Sequence, residues 1–222
     1  RRGMPKAGGS QRRVERLARV LDLECVPSPH LRIGAREEAL AHDLIPDGGP
    51  ILAVGPTANW RAKTWRSEYF AELISRLTGP LGILPQGRVA IFGRDDERPM
   101  ALRLIDEIPE ERCIDLVGKI DLLSAYACLG RCSLYVGNDS GLMHLAAASG
   151  LPTLGLFGPT QESLYAPWGD HTGVVRTQIS FEEIFPDNFD HRISDTLMDS
   201  LTVDMAEDGA KELWRRCKGM QT

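Results

Sequence analysis

A carboxylate, a hydroxyl and a glycine stand in a row at Asp139, Ser140 and Gly141. Before them runs the short, β-prone stretch 133–136, and after them 142–148, rich in Leu, Met and Ala, which reads as helix. At such a strand-to-helix turn, glycine and hydroxyl let a phosphate approach free backbone N–H groups and the positive end of the helix dipole. A carboxylate repels phosphate but accepts paired hydrogen bonds from vicinal sugar hydroxyls. Together the three suit a phosphorylated sugar, with a purely structural N-cap by Ser140 as the plain alternative. His144, one turn further on, is either a ligand-facing group or a satisfied core histidine. Thr160 and Gln161 follow the next apolar run, 153–157, and its Gly158-Pro159 turn, and point to the same place as contacts for a sugar or ribose.

A second loop carries Thr57, Asn59, Arg61 and Lys63. Two cations with hydroxyl and amide donors in one turn fit a diphosphate, because cations neutralise phosphate charge while a following helix start supplies amides. A solvated basic loop is the alternative. Trp60 and Trp65 flank Lys63 and read equally as cover for the core. No G-x-G-x-x-G and no G-x-x-x-x-G-K-[ST] occurs, so hydride transfer and P-loop NTP hydrolysis lack their signatures.

These loops need a frame, and the chain supplies one from residue 51 onward. Apolar runs at 51–54, 89–92, 114–116, 134–136, 153–157 and 174–176 alternate with helical patterns at 67–77, 97–107, 122–129, 142–148 and 195–216. This is the pattern of an α/β fold, a Rossmann-like doubly wound parallel sheet whose right-handed crossovers put every strand-to-helix loop on one edge. The stretch 179–193 is acidic and aromatic without a period and is expected as loop. Upstream, 12–23 carries Val14, Leu17, Val20 and Leu21 at helical spacing with a basic outer face, a second short helix is expected at 36–44, and "PDGGP" closes the segment. Residues 1–50 thus read as linker and tail, and 51–222 as the domain.

Composition narrows the function classes. The chain has 222 residues, 42% hydrophobic and 26% charged, as expected of a globular protein. Its formal charge of -5 argues against nucleic-acid binding as the main task. No apolar run approaches the roughly 20 residues of a spanning helix, nor does the N-terminus show a signal-peptide core, so a cytoplasmic protein is expected. The five cysteines are odd in number and scattered, which favours reduced thiols. Cys128 and Cys132, a helical turn apart without a second pair, are expected to pack rather than to bind zinc.

The residues also carry a resemblance. "GNDSGLMHLAAASGLPTLGLFGPT", together with "GPTANWRAKTW" upstream, resembles the signature of glycosyltransferase family 9, the ADP-heptose:lipopolysaccharide heptosyltransferases. The resemblance implies the C-terminal, donor-binding domain of a GT-B fold. Lys63 would then contact the donor phosphates with Thr57 beside it, Ser140 and Gly141 would bring helix amides to the diphosphate, Asp139 would hold the sugar hydroxyls, and Glu97 the ribose. Arg61, His144 and Thr160 are further candidates. Arg66 stands where family members commonly have proline, and Ser140 replaces the more usual threonine. The family's N-terminal domain, which binds the acceptor and carries the base, has no counterpart in the chain, so no catalytic residue is assigned.

The implied reaction is inverting, metal-independent transfer of a heptose or similar sugar from an ADP-sugar to a lipopolysaccharide core hydroxyl. It needs no cofactor, and the departing ADP would be stabilised by Lys63 and the helix amides. Expected partners are the ADP-sugar and, through the missing domain, the acceptor, with at most peripheral contact at the inner face of the inner membrane. The rival readings are a non-catalytic nucleotide-sugar binding module needing a partner half, another GT-B enzyme or epimerase using a UDP-sugar, and an unrelated flavodoxin-like regulator.

Overall fold

The computed structural model describes residues 12–190 and 194–219. The basic, Gly-rich stretch 1–10 and the end of the expected 179–193 loop lie outside the described residues.

Six apolar runs form one sheet: β1 (Ile51–Gly55), β2 (Arg88–Ile91), β3 (Cys113–Asp115), β4 (Leu134–Asn138), β5 (Thr153–Phe157) and β6 (Thr172–Arg176), in the order β3-β2-β1-β4-β5-β6. Every pairing is parallel. Parallel strands need crossovers, and these are helical: α3 (Ser67–Thr78), α4 (Arg98–Asp106), α5 (Leu122–Leu129) and α6 (Gly141–Ala148) each join successive strands. The chain winds outward from β1 to β3, then returns across β1 to begin β4. β1 and β4 are therefore neighbours whose following loops diverge, with Gly55 opposite Gly137. Such a switch point opens a crevice beyond the strand ends.

Both sheet faces are covered, which explains why β1, β4 and β5 are apolar without alternation and buried along their whole length. Leu52, Val54, Leu134, Val136, Leu154 and Leu156 face α3 and α8 (Val203–Gly219). Ala53, Ala90, Tyr135 and Phe157 face α5 and α6. In α3, the buried residues Phe70, Leu73, Ile74 and Leu77 recur at the spacing that makes one helical stripe. Each fully buried Leu, Ile or Phe contributes about 1.5–3 kcal/mol.

The frame departs from the sequence reading at three places. The expected helix from residue 195 begins only at Val203. Residues 194–202 instead form a strap over the loop after β1: Leu197 N–H donates to Ala62 O (2.8 Å), Thr196 Oγ1 to Thr64 O (2.7 Å), and Arg66 holds Asp199 through two bonds of 2.6 Å. Met198 and Leu201 plug this strap into the core with no exposure. Tertiary bonds thus satisfy groups that a helix would have paired internally. Within 1–50, α2 (Ala35–Leu44) packs with Ile45 onto the sheet domain, where Ala41 and Ile45 are buried. By contrast α1 (Arg13–Val20), among the described residues, buries only Ala18 and half-buries Val14 and Val20, while Leu17 and the following Leu21 stay 60% and 66% exposed. One short helix, α7 (Glu162–Tyr165), was not expected. Residues 179–190 lack helix and strand, as the sequence led one to expect.

Candidate functional site

The first sites to consider are the two loops at the switch point. After β1 the backbone runs through Pro56 and Thr57 into a single 3-10 turn, Arg61–Lys63, which turns the Lys63 side chain back over the sheet edge. After β4 it turns at Asp139 and Ser140 into α6. Asn138 ties the two together: its Nδ2 donates to Pro56 O (2.8 Å), and its Oδ1 accepts from Trp65 N–H (3.0 Å). The residue has no exposure, so both halves of the amide are used for this staple.

Between the loops lies a cleft of about 760 Å³. It is lined by Thr57, Lys63, Glu97, Asp139, Ser140, Gly141, His144 and Thr160, residues that the sequence scatters over a hundred positions. Arg61 is not among them. Its guanidinium turns to the opposite side of the loop and pairs with Asp195 at 3.0 Å. Within the cleft Lys63 Nζ stands 3.4 Å from Asp139 Oδ2, with side-chain exposures of 12% and 8%. The same ammonium lies 5.8 Å from the centre of the Trp60 ring, which screens it from water on one side.

Glu97 and Thr57 form a second linked pair. Thr57 Oγ1 donates to Glu97 Oε2 (3.0 Å), and the same oxygen accepts from Arg94 N–H (2.9 Å). Both side chains are nearly buried, so the pair fixes the shape of the wall formed by the loops after β1 and β2.

Ser140 occupies the N-cap position of α6 in extended conformation, yet its hydroxyl makes no capping bond. The structural N-cap is therefore not its role in this structure. Among the described residues four buried side-chain polar atoms lack a hydrogen-bond partner, and Ser140 Oγ and Thr160 Oγ1 are two of them, both in the cleft wall. A third, the Tyr135 hydroxyl, lies beneath the cleft floor. Buried polar groups are ordinarily paired, so such a concentration leaves room for a bound group, water or ligand, to supply the partner. The first amides of α6, which no helix can satisfy internally, converge on the same spot.

The far wall is apolar. Trp60, Leu142, Leu164, Tyr165, Phe181 and Phe185 line it. Phe181, Phe185 and Phe189 stack edge to face with centroid spacings of 5.4 and 4.9 Å, and the row continues to Trp60, tilted against Phe189 at 6.4 Å. A cleft with one charged wall, one hydroxyl-lined floor and one aromatic wall accommodates a ligand that is anionic, hydroxylated and flat in different parts. Three features escaped the sequence reading: the Asn138 staple, the buried Tyr135 and the aromatic row. The "Asn-Asp-Ser" run hinted at the first. The row had a signal too, because Phe181, Phe185 and Phe189 recur every four residues.

Elsewhere the two cysteines of interest pack: Cys132 Sγ donates to Cys128 O (3.4 Å), and burial pushes the Cys128 thiol up to about 11. Among the described residues no three His, Cys, Asp or Glu side chains gather as a metal would require, and no helix is long and apolar enough to cross a membrane.

The chain and its fold have known relatives. The chain is 35% identical over 132 residues to lipooligosaccharide heptosyltransferase 2 of Haemophilus influenzae, covering 57% of the chain and 36% of that protein. It is 34% identical over 193 residues to lipopolysaccharide heptosyltransferase 1 of Pseudomonas aeruginosa, covering 84% and 49%. The chain thus spans less than half the length of these relatives. Among solved structures, the fold matches a family 9 glycosyltransferase of Veillonella parvula with TM-score 0.75 at 20% identity, over 93% of this chain and 60% of that one. It matches the E. coli ADP-heptose heptosyltransferase II with TM-score 0.70 at 23% identity, over 90% and 57%. The family model for glycosyltransferase family 9 (heptosyltransferase) matches residues 9–185, and the chain belongs to that family.

Proposed function

We propose that the cleft at the β1/β4 switch point is the donor site of a glycosyltransferase that moves a heptose or a similar sugar from an ADP-sugar to a lipopolysaccharide core hydroxyl. The observation that carries this reading is the Lys63–Asp139 pair, nearly buried at 3.4 Å beside the unpartnered Ser140 hydroxyl and the start of α6. A diphosphate competes for Lys63 and the α6 amides, which releases Asp139 to accept hydrogen bonds from sugar hydroxyls. As the glycosidic bond breaks, negative charge grows on the departing diphosphate, where Lys63 and the amides stabilise it without reorganising. The reading needs no metal: one ammonium and one helix terminus perform the neutralisation. Inversion follows if the acceptor hydroxyl attacks from the side opposite the diphosphate, which requires a base from an acceptor-binding half. The protein would act in the cytoplasm at the inner face of the inner membrane, where such acceptors are assembled.

A second reading has its own support. The two carboxylates of the cleft, Glu97 and Asp139, are both engaged by neighbours, which leaves neither free to take a proton from an acceptor hydroxyl. A nucleotide-sugar binding module that completes its active site with a partner half fits these facts. Calorimetric titration with ADP, UDP and an unreactive ADP-sugar tests the donor reading. Saturable binding that prefers ADP and tightens with the sugar supports it. Tighter binding of UDP reassigns the donor, and no nucleotide binding by any of the three overturns it.

A further inference from the structure

Tyr135 is the largest polar side chain lying wholly inside the protein near the cleft, with no exposed surface. It is the second residue of β4, on the side packed with Ala53, Met143 and Phe157. From there its ring reaches along the sheet toward the strand ends and passes over Gly55 and Gly137, the register pair at the switch point. A Cβ added to either glycine would overlap the Tyr135 hydroxyl, so two bare backbone positions make the channel in which the phenol lies. Ser140, Asp139 and Glu97, all in the cleft lining, are close enough to influence the phenol's ionisation. Ser140 is within hydrogen-bonding reach of the phenol, yet neither hydroxyl makes a hydrogen bond of ordinary length and angle in the ligand-free protein.

A phenol buried without a partner costs stability that a phenylalanine of the same shape would not, roughly 1–3 kcal/mol. Gly55 nevertheless leaves room for it, and at Gly137 a Cβ would meet both the phenol and the Gly55 carbonyl. Burial, the largest influence, pushes the phenol well above the usual tyrosine range; Ser140 pulls it back, while the Glu97 and Asp139 carboxylates push it further up. The group therefore stays protonated and is a neutral O–H donor at any physiological pH.

We infer that Tyr135 is a positioning residue of the donor site. When a diphosphate occupies the cleft, the Tyr135 hydroxyl donates to Ser140 Oγ, and Ser140, its acceptor lone pair thus engaged, directs its own O–H to a phosphate oxygen. Two unpartnered hydroxyls become one chain of donors ending on the ligand, and each bond polarises the next. The hydroxyl acts from below, through Ser140, and does not touch the substrate. This inference rests on the donor-site reading above.

The test compares wild type, Tyr135→Phe, Ser140→Ala and the double variant by calorimetric titration with ADP and with adenosine, alongside thermal unfolding of the ligand-free proteins. Tyr135→Phe is expected to melt at or above the wild-type temperature, because it removes an unpartnered buried hydroxyl. It is expected to bind ADP about five- to tenfold more weakly, the effect of one lost hydrogen bond acting on an anion, and adenosine unchanged. In the Ser140→Ala background the same change is expected to cost nothing further, since the chain is already cut. A merely structural tyrosine would lower the melting temperature and weaken both ligands alike, which overturns the inference. So does ADP affinity unaltered in Tyr135→Phe, or losses that add in the double variant. Wild type that fails to bind ADP would overturn the donor reading itself, and the inference with it.

Discussion

Lys63 and Asp139 face each other at 3.4 Å, and an anion arriving between them would have to separate the pair. Lys63→Ala is expected to weaken ADP binding by about 1–3 kcal/mol, the range for a lost hydrogen bond to a charged group, with UDP and ADP affected alike. Unchanged affinity in a titration would remove Lys63 from the phosphate site. Asp139→Asn points the other way. It frees Lys63 from its internal partner, so ADP should bind as tightly as before or more so, while the extra affinity for an ADP-sugar over ADP disappears. A variant that loses ADP and ADP-sugar equally would show that Asp139 serves the fold and not the sugar. Both residues were legible in the sequence because each stands in a loop that ends an apolar run. Arg61, two positions before Lys63, has the same chemistry but faces Asp195; the loop's residue types alone did not separate the two, and only the family resemblance favoured Lys63 and left Arg61 a further candidate. Tyr135 was illegible for another reason. Its significance lies in glycines on two strands, Gly55 and Gly137, that only sheet register makes neighbours.

The elements that hold these residues are joined by a few polar bonds that apolar periodicity does not report. Asn138→Ala leaves the Trp65 N–H and the Pro56 C=O without their partner inside the protein, and a loss of about 2–5 kcal/mol is expected, read as a lower urea midpoint at constant slope. Because the staple joins the loops after β1 and β4, nucleotide affinity should fall along with stability. A variant destabilised without any change in affinity would show that the two loops keep their spacing without it. The strap at 194–202 offers the complementary case. Met198 is fully buried there, and Met198→Ala is expected to cost about 2–5 kcal/mol by opening a cavity against Gly158 and the sheet. The sequence showed the strands well because a parallel sheet covered on both faces writes itself as unbroken apolar runs. It misplaced the start of α8 for a physical reason. Residues 195–202 have no helix-breaking composition, and only bonds to Ala62, Thr64 and Arg66, more than a hundred positions away, decide against the helix.

At the scale of the whole molecule, a deep site is set at one edge of a sheet whose partner surface the described residues do not supply. Transfer requires a group that takes the proton from the acceptor hydroxyl as the sugar bond breaks. The carboxylates lining the cleft are already used, Glu97 to hold Thr57 and the Arg94 amide, Asp139 to hold Lys63. On the donor-site proposal, Asp139 freed by a ligand would hold the sugar's hydroxyls and would not serve an acceptor approaching from the opposite face. Binding and turnover should therefore separate. The chain by itself is expected to bind an ADP-sugar saturably while releasing ADP no faster than the uncatalysed rate, with or without a core oligosaccharide acceptor. Supplying, as a separate protein, the N-terminal half of a family 9 relative should restore acceptor-dependent ADP release, and the Lys63→Ala chain should fail to support it. Acceptor-dependent release by the chain alone would show that a base resides within these residues, with His144, which lines the same cleft, the first to substitute. Donor binding with no restoration by any acceptor-binding half would instead favour a module that holds nucleotide-sugars without transferring them.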